Sequence, residues 1–202
     1  MLEAADLECE RGGRVLFRGL SFALCGGELL RLAGENGSGK TSLLRILCGL
    51  LTPSAGDVRW NGAPIRSLRE EYSRQLVYIG HAPAVKGDLT AAENLSIGCA
   101  LAGMPVSREQ VGNALAAFGL SAGDVPVRRL SQGQRRRAAL ARLFLSSQTP
   151  LWFLDEPFAA LDEGAAGRVE EHIASHVARG AAVVYTTHQE VSLGATRVVA
   201  LG

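Results

Sequence analysis

Gly34-Glu35-Asn36-Gly37-Ser38-Gly39-Lys40-Thr41 is the stretch on which the fold is decided. An apolar run, Leu29-Leu30-Arg31-Leu32-Ala33, precedes it and reads as a buried strand. Ser42 to Cys48 follows, with Leu43, Leu44, Ile46 and Leu47 reading as a buried helix. The Gly-x-x-x-x-Gly-Lys-Thr pattern between strand and helix is a phosphate loop. Its glycines let successive N–H groups face one phosphate, and the helix N-terminus adds partial positive charge. The phosphate-facing set therefore runs from Gly34 through Glu35, Asn36, Gly37, Ser38 and Gly39 to Lys40, Thr41 and Ser42. Lys40 is expected to reach the β- and γ-phosphates of a nucleoside triphosphate, and Thr41 to hold Mg2+.

Outward from the loop the chain alternates strands and helices, which calls for a mostly parallel sheet. Leu2 to Cys9 and Val15 to Leu24 read as strands joined by the turn Arg11-Gly12-Gly13-Arg14. Asp57-Val58-Arg59-Trp60 with the Asn61-Gly62 turn reads as a second antiparallel piece. A short helix is expected over Leu68 to Arg74 and a buried strand over Leu76 to Ile79, ending at Gly80-His81. From Lys86 the chain becomes alanine-rich, and Thr90 with Glu93, then Ser107 with Gln110, spell capping boxes. Gly119 to Arg129 reads as a connector. Ser131 with Gln134 is a third capping box, opening a helix expected to turn Ala139, Leu140, Leu143 and Phe144 inward. Leu151-Trp152-Phe153-Leu154 then reads as a strand, Glu163 to Arg179 as a helix, Ala182 to Thr186 as a strand and Val198-Val199-Ala200 as a last strand. The division expected is a core over 1–85 and 129–202, including the antiparallel piece, with a helical insertion over 86–128.

Composition narrows the partners. The chain has 202 residues, 47% apolar and 20% charged, with a net charge of +1, which gives no bulk reason to expect nucleic acid. Arg135-Arg136-Arg137 fan round a helix rather than forming a stripe, so they read as solvated or ion-paired. The four cysteines, Cys9, Cys25, Cys48 and Cys99, are far apart and read as small buried thiols in a reducing compartment. The opening Met1-Leu2-Glu3-Ala4-Ala5-Asp6 lacks the basic and apolar segments of a signal peptide. No apolar run approaches the roughly 18 residues that span a bilayer, so if a membrane matters another chain crosses it.

Asp155-Glu156 stands at the carboxyl end of an apolar strand, the end at which ligands sit in open parallel sheets. Asp155 is expected to help hold Mg2+ and Glu156 to orient the attacking water. His188, after the next strand, is placed to donate to a γ-phosphate, although a lone histidine there is commonly an ordinary loop residue.

Leu130-Ser131-Gln132-Gly133-Gln134 resembles the signature of the ATP-binding subunits of ABC transporters, lying between phosphate loop and acidic strand as in that family. Ala160-Leu161-Asp162 resembles the D-loop and Thr187-His188 the switch histidine. Within the family the chain is most similar to the cytochrome c biogenesis, haem-exporter-type ATPases. Tyr78-Ile79-Gly80-His81, Leu89-Thr90-Ala91-Ala92-Glu93-Asn94-Leu95, Asp155-Glu156-Pro157-Phe158 and Thr186-Thr187-His188-Gln189 carry that likeness, as do Leu7 to Arg11 and Val15 to Phe22.

The resemblance implies an α/β P-loop NTPase domain of the ABC ATPase type with an N-terminal antiparallel β subdomain and a helical subdomain. It implies ATP and Mg2+ as ligands, and ATP hydrolysis in which Lys40, Glu156 and His188 take part. It implies a homodimer in which Ser131, Gly133 and Gln134 cap ATP bound to the other copy. It further implies integral membrane subunits as partners, the loop from His81 to Asp88 as coupling element, the cytoplasmic face of the inner membrane as location, and haem delivery as the process served. Two positions depart from the general pattern. His81 stands where a Mg2+-contacting glutamine is usual, which makes that contact pH-sensitive. Arg11 replaces the aromatic that stacks on adenine, and its guanidinium plane can stack on a base instead.

Overall fold

The computed structural model describes residues 1–121 and 125–202. Five strands form a parallel sheet in the order β6 (Leu76–Ile79), β7 (Leu151–Asp155), β8 (Ala182–Thr186), β3 (Leu29–Gly34) and β9 (Arg197–Leu201). The central strands are apolar at successive positions because both faces of the sheet are covered. In β7, Leu151 and Phe153 join one core while Trp152 and Leu154 join the other. This is the period-2 alternation of a strand with two buried sides.

The first core packs the sheet against helix α1 (Lys40–Leu47) and a four-stranded antiparallel sheet. That second sheet runs in the order β2 (Arg14–Leu24), β1 (Leu2–Arg11), β4 (Ala55–Trp60), β5 (Ala63–Pro64). Helix α2 (Ile65–Ser73) follows it, starting three residues before the expected Leu68 and broken at Arg69. The other core packs the opposite face against α3 (Ala91–Leu101), α4 (Arg108–Ala117), α5 (Gln132–Leu145) and α6 (Glu163–Ala178). All three capping boxes close: Thr90 accepts from Glu93 N, Ser107 from Gln110 N and Ser131 from Gln134 N. Part of the connector expected over Gly119 to Arg129, residues 122–124, lies outside the described residues.

Two expectations are corrected. Leu140 and Leu143 are buried, but Ala139 is only half-buried and Phe144 is 41% exposed, its ring stacked on His172 with centroids 5.8 Å apart. α6 supplies an imidazole that covers only one face of Phe144, so that ring closes the helix layer at its rim. Cys9, Cys48 and Cys99 are buried thiols as expected, whereas Cys25 is exposed, because it sits in the turn between β2 and β3.

Candidate functional site

The phosphate loop joins β3, which lies inside the parallel sheet, to α1. Gly34 has φ 146°, and a Cβ there would lie 2.3 Å from the Leu201 carbonyl oxygen and 2.6 Å from Ser38 Oγ. Only glycine allows β9 and the loop to close that tightly. Gly39 caps α1 with no side chain, at φ 101°. The first N–H groups of the helix are therefore unclaimed by a capping side chain and available to an anion. Lys40 is buried, and its Nζ donates to the carbonyls of Gly34 and Glu35, each at 2.8 Å. Those two bonds hold the ammonium across the loop.

β7 delivers the acids beside this loop. Thr41 Oγ1 donates to Asp155 Oδ2 at 2.9 Å, and Thr186 Oγ1 donates to Asp155 Oδ1 at 2.9 Å. Thr186 also accepts from Glu156 N at 2.9 Å, so one hydroxyl fixes both the Asp155 carboxylate and the Glu156 peptide. The register makes this possible, because Asp155 and Thr186 are direct partners in the β7–β8 pairing. Glu156 leaves the strand in a left-handed conformation, φ 52°. Its Oε2 accepts from His188 N at 3.2 Å, while His188 Nε2 lies 3.6 Å from Oε1. That second oxygen is buried and has no hydrogen-bond partner among the described residues. A buried carboxylate oxygen left without a donor is what a water-orienting group presents.

These groups surround a cleft of about 550 Å³. Asn36, Gly37, Gly39, Lys40, Thr41 and Ser42 line it from the loop side. Arg11, His81, Asp155, Glu156 and His188 line it from the remaining sides, with Leu16 from β2 as an apolar wall that sequence reasoning did not single out. Gly34, Glu35 and Ser38 shape the loop without lining the cleft. Among the described residues no three His, Cys, Asp or Glu side chains gather as a metal site. The donors that do meet, a hydroxyl and a carboxylate, are hard oxygens. They fit Mg2+, which keeps most of its shell as water and substrate phosphate.

Ser131, Gly133 and Gln134 do not line that cleft; they form the N-terminal turn of α5. Ser131 N donates to Gln134 Oε1 at 2.8 Å and Gln134 N to Ser131 Oγ at 3.2 Å, so the glutamine amide completes the cap. A Cβ at Gly133 would lie 2.7 Å from the backbone oxygen of Ala160, itself at φ 62°. The Cβ direction at Gly133 is thus closed by the chain's own Ala160.

The three arginines form no ion pair among the described residues. Arg135 and Arg137 are half-buried and partly solvated, and only Arg136 departs from the expectation of a solvated or ion-paired residue. Arg135 donates to the carbonyls of Val127, Arg128 and Leu130, closing the turn before α5. Arg137 donates to the Gly119 carbonyl at 3.2 Å. Arg136 is 2% exposed, and its guanidinium meets only main-chain oxygens. The fan pattern on the helix is real, but at Arg136 tertiary loops rather than water fill it. Besides Leu16, the roles of Thr186 and Arg136 are the ones missed, although Thr186 stands in the segment 186–189 that carries the family likeness.

The chain matches the family described as ABC transporter over residues 17–159. It is 54% identical over 191 residues to the cytochrome c biogenesis ATP-binding export protein CcmA of Aromatoleum aromaticum, covering 94% of this chain and 89% of that one. To the protein of the same name from Pseudomonas aeruginosa it is 50% identical over 203 residues, covering 100% of both. Its fold matches a dimeric ATP-binding cassette, MJ0796, solved after hydrolysis with ADP and Pi, at a TM-score of 0.86 and 21% identity over 100% of this chain and 94% of that one.

Proposed function

The chain belongs to the ABC transporter family and, within it, to the cytochrome c biogenesis ATP-binding export proteins, and from that premise we propose how its site performs ATP hydrolysis and what the hydrolysis drives. Two copies close on two ATP molecules, each lending the Ser131 end of α5 to the triphosphate held by the other. The dimeric form of the solved relative supports this arrangement. Backbone N–H groups from Gly37 to Thr41 and the ammonium of Lys40 bind the β- and γ-phosphates, an anion site fixed before substrate arrives. Arg11 lies flat against the base. Mg2+, when bound, neutralises phosphate charge, and Thr41 and Asp155 are the residues that hold it. Glu156 Oε1 accepts a hydrogen bond from the attacking water and aims it at the γ-phosphorus. His188 donates to the γ-phosphoryl oxygens as charge builds on them, its backbone N–H having fixed the Glu156 carboxylate from the other side. His81 contacts the same cleft in place of glutamine.

Residues 86–128 act as a helical subdomain, and with the loop from His81 to Asp88 they pass closure to integral membrane subunits. No described helix is long and apolar enough to cross a membrane, so in this reading those subunits carry the crossing. The chain itself then rests at the cytoplasmic face of the inner membrane. Hydrolysis drives haem delivery, either by moving haem or by releasing a haem-carrier complex.

The observation that carries this reading is the meeting of Thr41, Asp155 and Glu156, one of whose carboxylate oxygens has no donor, at one cleft. Glu156→Gln is the test. The variant should bind ATP as the parent does, lose turnover by roughly a hundredfold or more, as loss of a positioned base does, and run as a dimer on size exclusion only with ATP. Unchanged turnover refutes the role of Glu156, and an ATP-loaded variant that stays monomeric refutes the two-copy arrangement.

A further inference from the structure

We infer that Arg136 is a positioning residue that ties the seat of the signature helix to the aim of Glu156: its guanidinium, carried on α5, hydrogen-bonds the main chain of both loops that flank the ATP cleft. Nη2 donates to the Asp155 carbonyl at 2.8 Å and the Glu156 carbonyl at 2.6 Å. Nη1 donates to the Gly80 carbonyl at 2.7 Å and to that of His81 at 3.3 Å, and Nε points to the Pro157 carbonyl at 3.4 Å. The inference rests on the two-copy reading above.

A buried cation without a carboxylate partner is costly, and a fold concerned only with packing has no use for one at this position. What the guanidinium alone supplies is a rigid fork of five donors, and every one of them is engaged here. A lysine ammonium has three donors at a single point and cannot reach both loops. The acceptors are also informative. One pair belongs to the segment of His81 and the rest to the segment of Asp155 and Glu156, so the two walls that differ most in chemistry are fastened to a single side chain.

Arg136 lies five residues along the helix from Ser131, about 7.5 Å at the α-helical rise. A helix of this length moves as a rod, so any shift at its serine end arrives at Arg136 and passes to the Glu156 peptide. That peptide is left-handed, a conformation that persists only where its surroundings over-determine it. The contact of Gly133 with Ala160 runs parallel to it, one turn nearer the serine. When Ser131 seats on the partner's triphosphate, α5 therefore sets the aim of Glu156 in its own copy, and each site reports its occupancy to the other.

The test uses Arg136→Gln and Arg136→Lys in the full chain, with turnover, its dependence on ATP, nucleotide affinity and thermal unfolding measured on each. Both variants should fall in kcat by roughly 10–100-fold, the cost of a misaimed group. Nucleotide affinity, titrated in the Glu156→Gln background, should change by less than about threefold, and a Hill coefficient above 1 in the parent should fall towards 1. Arg136→Lys should give no rescue although it keeps the charge. Turnover at the parent rate in a folded variant overturns the inference. So does a loss of affinity equal to the loss of rate, a rescue by lysine, or a chain that unfolds with either substitution, which would make Arg136 structural only. Failure of the two-copy reading looks different: the Glu156→Gln chain with Arg136 intact would then form no dimer on ATP.

Discussion

Replacing Thr186 by valine isolates one hydroxyl whose role is fixed by two distances. Valine has the shape of threonine, so a side chain that is 0% exposed is exchanged without a cavity. What disappears is the bond to Asp155 Oδ1, 2.9 Å, and the one accepted from Glu156 N, 2.9 Å. A bond to a charged group contributes about 1.5–3 kcal/mol and a buried N–H left unpaired costs about 1–3 kcal/mol. Partial relaxation brings the sum to about 3 kcal/mol. Against a total stability of about 5–15 kcal/mol the fold survives, and the melting temperature should fall by roughly 6–12 °C for a domain of this size. If the hydroxyl only held the fold, turnover below the melting point would be untouched. Because it sets the rotamer of Asp155 and the peptide of Glu156 together, kcat should instead fall by roughly 10–100-fold with the KM for ATP nearly constant. Thr186→Ser keeps the hydroxyl and should turn over within about threefold of the parent. The assay is phosphate release at saturating ATP, paired with a thermal melt of each protein. Valine at the parent rate, or serine as slow as valine once its melting point is restored, refutes the reasoning.

Two further outcomes follow from contacts away from the phosphates. Gly133→Ala places a methyl 2.7 Å from the backbone oxygen of Ala160, so it should destabilise the nucleotide-free monomer by about 1–3 kcal/mol of overpacking and lower its melting temperature; an unshifted melt would mean this glycine is required only at the partner's nucleotide. His176, stacked on Trp152 with centroids 3.6 Å apart, has its pKa lowered to about 4, chiefly by burial and further by Arg179 and His172, against its bond to the Thr149 carbonyl. The unfolded chain then binds more protons between about pH 4 and 6.5, so stability present above pH 6.5 is lost as pH falls towards 4, by on the order of 1–3 kcal/mol. Denaturant unfolding at pH 7.5 and 5 should show a smaller loss in His176→Gln, and an equal loss would remove His176 as the cause.

The parts of this chain that were legible in sequence are those written in local chemistry. The loop from Gly34 to Thr41 announces itself because a tight turn, a strand before it and a helix after it all lie within about twenty residues. The three capping boxes were readable for the same reason: donor and acceptor are three residues apart. Thr186 was not, because its role depends on lying opposite Asp155 across two parallel strands, 31 residues away along the chain. Arg136 escaped for a related reason. A helix surface shows which residues point outward from the axis, but not whether water or a neighbouring loop is waiting there, and here the loops of residues 80–81 and 155–157 are. The close approach of Ala160 to Gly133 was not readable either, because it joins residues 27 apart along the chain.

Thr186 and Arg136 share one target, the turn at Glu156. A non-glycine residue at φ 52° is strained by about 1–3 kcal/mol, and glycine would relieve it without effort. The chain keeps a carboxylate there instead, and holds it with a bond on each side of the residue: Thr186 takes its N–H, and Arg136 and Ala159 N both donate to its carbonyl. The same turn brings the carboxylate back towards His188, whose N–H fixes one oxygen and leaves the other buried without a donor. The strain is thus the geometric condition for placing Asp155 and Glu156, neighbours in sequence, on two different tasks at one triphosphate, and the residues least visible in the sequence are those that make that condition stable.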